Sequence, residues 1–132
     1  MNLLDTGIIL EMIKEKKHEA GVISPITLIE ILRGIETKKR PKVKELLEES
    51  FNLLNIDNKT IETYCTLYHK LREEGTLIPD ADLLIAATAI TYNLTLKTKD
   101  EHFQRLKPLG LKLTQMPEKQ NPQKAFTRSS RR

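Results

Sequence analysis

Four carboxylates in this chain stand where an apolar run gives way to a helix start, or one turn inside a helix. They are Asp5 in Leu3-Leu4-Asp5-Thr6-Gly7, Glu30 in Ser24-Pro25-Ile26-Thr27-Leu28-Ile29-Glu30, Asp82 in Pro79-Asp80-Ala81-Asp82-Leu83-Leu84, and Asp100 in Leu96-Lys97-Thr98-Lys99-Asp100. A charge set among apolar residues is costly to desolvate unless it is paired or holds a metal. Each acid has a plainer reading: Asp5 and Asp100 can cap the helices that follow them, and Glu30 can pair with Arg33 or Lys38 on a solvent face. Asp80 and Asp82 compete for one role. Asp80, directly after Pro79, is assigned as helix cap and supporting residue. Asp82 is assigned as ligand, in a first turn where the macrodipole favours an anion. Four such residues together point to one acidic pocket holding a divalent cation. Clustered carboxylates repel and raise a pKa. A divalent ion removes the repulsion and activates water without any serine or histidine, which suits hydrolysis of a phosphodiester. The hydroxyls of Thr6 and Thr98, at the same strand ends, are placed to hold the acids or water.

Composition narrows the metal. Cys65 is the only cysteine, which excludes an intramolecular disulfide or a thiolate zinc site, and His18, His69 and His102 lack metal-ligand spacing among themselves. The donors are therefore expected to be mostly oxygens, selecting Mg²⁺ or Mn²⁺ over zinc. Cys65 itself is expected in the core, on the apolar stripe Ile61, Tyr64, Cys65, Tyr68, Leu71. With 132 residues, 39% hydrophobic and 30% charged, the chain suits one globular domain. Residues 117–132 hold Lys119, Lys124, Arg128, Arg131 and Arg132 against Glu118, which accounts for the whole net charge of +4. Residues 1–116 are read as the nuclease domain and 117–132 as a basic, disordered tail, poor in apolar residues, with two readings open: weak, salt-sensitive attraction to nucleic acid, or a merely solubilising or incidental tail. No apolar run approaches a membrane span and no secretory pattern opens the chain, so a cytoplasmic protein without membrane contact is expected.

The elements that must carry the acids alternate. Residues 2–5 read as a buried strand, 7–17 as a helix, Val22-Ile23 as a strand, and Ser24-Pro25 as the cap and first position of a second helix. Lys38-Lys39-Arg40-Pro41 breaks that helix, 42–50 forms another, and Leu53-Leu54-Asn55-Ile56 suits a strand. Asp57 or Asn58 caps a long amphipathic helix that Gly75 ends. The next helix starts at Pro79-Asp80 and is apolar on all sides from Leu83 to Ile90, so it must be central. Asn93 ends it; Thr95–Lys97, Glu101–Leu106 and Leu111–Leu113 read as strand, short helix and strand. Such alternation implies an α/β fold, a parallel sheet covered on both faces. Ligands in such sheets sit beyond the carboxyl ends of the strands, where Asp5 and Asp100 would project.

These residues resemble the PIN domain, and most closely VapC-like toxins of toxin–antitoxin pairs, over roughly residues 1–114 in collinear order. Leu3-Leu4-Asp5-Thr6 resembles the family's opening strand and first acid, and Ile26 to Gly34 its second motif. Asp82-Leu83-Leu84-Ile85-Ala86-Ala87-Thr88-Ala89 resembles the third, the most specific, and Thr98-Lys99-Asp100 with Phe103 the fourth. The resemblance implies a three-layer α/β/α sandwich around a central, mostly parallel sheet, and a ribonuclease that uses Mg²⁺ or Mn²⁺ and leaves 5′-phosphate and 3′-hydroxyl ends. Asp5, Glu30, Asp82 and Asp100 would be its catalytic acids, with Asp5, Asp82 and Asp100 on the metal. Arg33 and Lys99 are candidates for contact with RNA or antitoxin. A cognate antitoxin and a homodimer are implied as partners. Gly7 departs from the family, where Ser or Asn is more usual. Two rivals stand beside this reading: a PIN-fold RNA-binding module with weak or lost catalysis, and a phosphorylation receiver domain, which would want an acceptor Asp after the third strand, where Asp57 falls.

Overall fold

The computed structural model describes residues 1–117; the tail expected from residue 117 onward lies, beyond Pro117, outside the described residues. The elements in chain order are β1 (Asn2–Leu4), α1 (Thr6–Glu15), β2 (Val22–Ile23), α2 (Pro25–Leu32), α3 (Arg40–Ser50), β3 (Asn52–Leu53), α4 (Asn58–Glu74), α5 (Asp80–Thr91), β4 (Thr95–Thr98), a 3-10 helix (Glu101–Leu109) and β5 (Lys112–Gln115). The five strands form one sheet in the order β3-β2-β1-β4-β5, and all four pairings are parallel. Parallel strands need crossovers, and the helices supply them.

The pleat of β1 divides the core. Leu3 faces a cluster that includes Leu67 and Leu71 of α4, Leu83, Ile85 and Ala86 of α5, Leu96, and Phe103 and Leu106 of the 3-10 helix. Leu4, its neighbour, faces Ile8, Ile9 and Met12 of α1, Leu28, Ile31 and Leu32 of α2, and Leu47 of α3. Successive side chains of a strand point to opposite faces, so two adjacent leucines serve two helical layers. This is the α/β/α sandwich. Helix α5 is central: Leu83, Ile85, Ala86, Ala87 and Ala89 are buried, and Thr88 is buried with its hydroxyl donating to the Leu84 carbonyl.

Gly21 precedes β2 because the sheet comes too close for a side chain. A Cβ there would stand 2.7 Å from Leu4 Cδ1 and 3.1 Å from the Asn2 carbonyl. Ser24 caps α2, its Oγ accepting from the Ile26 N–H at 3.1 Å. Gly75 ends α4 in the left-handed region at φ 68°, a conformation that favours glycine.

Several expectations need correction. The third strand is Asn52–Leu53, ahead of the 53–56 segment, because these two residues pair with Val22 and Ile23. Helix α3 starts at Arg40 with Pro41 in its first turn, a position that tolerates a missing N–H. Cys65 is exposed, not core. Thr60, Leu67 and Leu71 are the buried positions of α4, with Ile61 48% exposed; Thr60 can sit inside because its hydroxyl donates to the cap carboxylate Asp57. Among the described residues no helix is long and apolar enough to cross a membrane.

Candidate metal centre

The strand order reverses at β1, with β2 on one side and β4 on the other. In an open parallel sheet the crevice for a ligand lies at such a reversal, beyond the carboxyl ends of the strands. Asp5 follows β1 there, its N–H donating to the Lys97 carbonyl at 3.0 Å, and Asp100 lies two residues past β4.

Asp5 does two jobs with its two oxygens. Oδ1 accepts from the Thr6 N–H at 2.9 Å and caps α1; Oδ2 accepts from Thr98 Oγ1 at 2.6 Å. Thr98 is fully buried, and its oxygen also accepts from the Asp100 N–H at 3.0 Å. One threonine thus fixes both strand-end acids. Burial pushes the Asp5 carboxyl above its ordinary pKa, its hydrogen bonds to Thr98 and Thr6 pull it down, and Glu30 and Asp100 push it up again.

Glu30 reaches this crevice from the second turn of α2. Its Oε1 accepts from Thr6 Oγ1 at 2.8 Å, while Thr6 Oγ1 stands 3.2 Å from that of buried Thr27. Arg33 lies one turn on, 3.9 Å from Glu30 Oε2, with its side chain 72% exposed. Asp82 enters from the first turn of α5. Burial raises its pKa to about 6, against a lowering by His102, and Asp5, Asp100 and Glu30 each raise it further. The four acids therefore share one electrostatic neighbourhood, built from two strand ends and two helices.

Asp100 occupies the cap position of the 3-10 helix but makes no side-chain capping bond; its carboxylate is half exposed and faces His102, with Oδ1 3.1 Å from Nδ1. His102 is the residue the sequence reading missed. Its Nε2 lies 3.1 Å from Asp82 Oδ2, yet that nitrogen is buried and makes no hydrogen bond. Donor atoms of Asp82, Asp100 and His102 all fall within 4.8 Å of one another. Among these three donors two are carboxylates, so the set stays mostly oxygen, with His102 as the addition. Spacing between histidines carried no signal; the signal was an imidazole two residues after a strand-end acid.

The other expected residues divide. Thr6 and Thr98 touch the acids as described. Asp80 is the first residue of α5, Pro79 takes the cap position, and no side chain caps that end; the expected cap role of Asp80 is corrected. Its Oδ1 accepts instead from Tyr64 Oη at 2.7 Å, a bond that, first among its causes, pushes the Tyr64 phenol up to about 12. Lys99 pairs with Glu11 at 2.6 Å. Asp57 caps α4 through the Thr60 N–H and hydroxyl, both at 3.0 Å, and so is not poised as a receiver-domain phosphate acceptor.

The donor set fits a divalent cation. Carboxylates forced together, one with its pKa raised to about 6, gain from positive charge at their centre, and the buried imidazole nitrogen beside them, which makes no hydrogen bond, has a lone pair to offer such an ion.

The PIN domain family model matches residues 3–108. Ribonuclease VapC1 of Methanocaldococcus jannaschii is 40% identical over 115 residues, covering 84% of this chain and 85% of that protein. Ribonuclease VapC of Rickettsia bellii is 35% identical over 124 residues, covering 81% and 91%. Among solved structures, VapBC-1 from nontypeable Haemophilus influenzae superimposes with a TM-score of 0.75 at 26% identity, covering 86% of this chain and 96% of that one.

Proposed function

The chain belongs to the PIN domain family, and from that premise we propose that it is an Mg²⁺- or Mn²⁺-dependent endoribonuclease acting as the toxin of a toxin–antitoxin pair. The observation that carries the chemistry is the convergence of Asp5, Glu30, Asp82 and Asp100 at the sheet's reversal point, with Asp100 not spent on capping. Relatives named ribonuclease VapC support RNA as substrate. The likeness to a VapBC pair supports an antitoxin partner. A homodimer and a nuclease domain spanning residues 1–116 belong to the same reading.

Asp5, Asp82 and Asp100 would hold the ion, and Glu30 would stand beside it. When bound, the ion supplies positive charge that activates water and stabilises the leaving oxygen. Thr98 holds Asp5 in one rotamer and fixes the backbone of Asp100. Thr6 does the same for Glu30 across the gap between α1 and α2. Preorganisation of this kind lets acids face a reacting phosphate without rearranging. Arg33, at the rim beside Glu30, is positioned to meet RNA phosphate or an antitoxin acid. Lys99 would have to leave Glu11 to do so.

The test is cleavage of a single-stranded RNA by the purified chain with Mg²⁺ or Mn²⁺, and with chelator. Cleavage should require the ion, leave 5′-phosphate ends, and fall to background in Asp5→Asn while circular dichroism stays unchanged. Full activity in that variant, or cleavage that survives chelation, rules the reading out.

A further inference from the structure

We infer that His102 supplies a nitrogen ligand to the divalent ion, which makes the centre a mixed imidazole–carboxylate site favouring Mn²⁺ over Mg²⁺; the inference rests on the metal-dependent reading above.

Three features of the ring lead there. First, Nε2 is buried and makes no hydrogen bond, an unusual state for a polar atom in a folded chain. Second, Nε2 stands 3.1 Å from Asp82 Oδ2, in ion-pair reach but without a hydrogen bond. That separation matches two adjacent donors at right angles around an ion with bonds of about 2.1–2.2 Å. Third, Nδ1 faces Asp100 Oδ1 at 3.1 Å. A histidine that binds metal through one ring nitrogen commonly gives its other N–H to a carboxylate, which fixes tautomer and orientation. The second oxygen of Asp100 remains available to the ion.

The ring is also held in place. It tilts against Phe103 with centroids 4.7 Å apart, and Phe103 is fully buried. The other two histidines are accounted for elsewhere, His18 against Phe51 and His69 against Tyr68. An imidazole donor matters for selectivity because Mg²⁺ demands oxygen ligands and keeps its waters, whereas nitrogen suits first-row transition ions.

The probe is Mn²⁺ bound to the intact chain and read by pulsed electron paramagnetic resonance, which detects nitrogen coupled to the ion. Coupling is expected in the wild type and in a His18→Asn, His69→Asn double variant, and its loss is expected in His102→Ala. Mn²⁺ affinity should fall about tenfold or more in His102→Ala, while Mg²⁺ affinity changes less than about threefold. The double variant keeps the assignment decisive even if His102→Ala does not fold. Tight Mn²⁺ binding without nitrogen coupling overturns the role of His102 and leaves the metal-dependent reading standing. Equal weakening of both ions in His102→Ala does the same. A wild type that binds no Mn²⁺ overturns both.

Discussion

Replacing Asp82 by asparagine should make the metal-free protein more stable and destroy its metal response. The Asp82 carboxyl is raised from 3.8 to about 6 in the fold, first by burial and then by Asp5, Asp100 and Glu30 against a lowering from His102. For an acid whose folded pKa lies above its unfolded one, the folded state prefers the neutral form. The cost is absent below about pH 4, grows as pH rises through about 6, and is complete above it. The displacement sets a ceiling of roughly 3 kcal/mol. Asp100 beside it is half exposed, so solvent and salt reduce that to about 1–2 kcal/mol. Losing a first-turn anion at the start of α5 gives back about 0.3–1 kcal/mol. A net gain near 1 kcal/mol remains. With an unfolding entropy of about 2.1 cal/mol/K per residue, a domain of this size moves by roughly 4 °C per kcal/mol. Thermal unfolding in chelator at pH 8 should therefore place Asp82→Asn about 4 °C above wild type, and the gap should close near pH 4. Saturating Mn²⁺ reverses the order, since a ligand at a hundred times its Kd adds about 2.7 kcal/mol to the form that binds it. An Asp82→Asn protein less stable than wild type in chelator at pH 8, or one that Mn²⁺ stabilises as much as wild type, would refute the claim that these acids strain against each other for a cation.

Thr98→Val keeps the shape of a fully buried side chain but strips partners from Asp5 Oδ2 and the Asp100 N–H; a loss of about 1–3 kcal/mol in denaturant unfolding and of about 10–100-fold in cleavage rate is expected, and wild-type rates would contradict it. Asp80→Asn should cleave RNA like wild type while ultraviolet titration finds the Tyr64 phenol shifted from about 12 back toward 10; a dead variant would return Asp80 to the site. Gly21→Ala drives its Cβ into Leu4 Cδ1 at 2.7 Å and should cost about 1–3 kcal/mol in chemical denaturation; a variant as stable as wild type would contradict the close approach.

How much of this was legible in the chain depended on whether a signal was local. Ser24-Pro25, Asp57 and Gly75 mark element ends because the first two start helices through bonds to nearby N–H groups and the third turns the chain where its φ is positive. The five apolar or small residues from Ile85 to Ala89 could only be central. From those ends alone, Asp5 and Asp100 fall at the same edge of a parallel sheet. Cys65 went astray because the buried positions of α4 are Thr60, Leu67 and Leu71, and a polar core residue such as Thr60, its hydroxyl donated to Asp57, is invisible to a count of apolar spacings. Asp80 went astray for the related reason that Tyr64, sixteen residues earlier, takes its carboxylate. His102 was hidden most deeply. Its partners, Asp82 and Asp100, come from different elements, and only the 3-10 turn after β4 brings the ring between them. Spacing rules find ligands that share one helix or one loop. Here the acids are carried by strand ends and helix starts, each readable by itself, whereas the imidazole earns its meaning from a contact between elements, and that contact is the part of the site the sheet's topology had to supply.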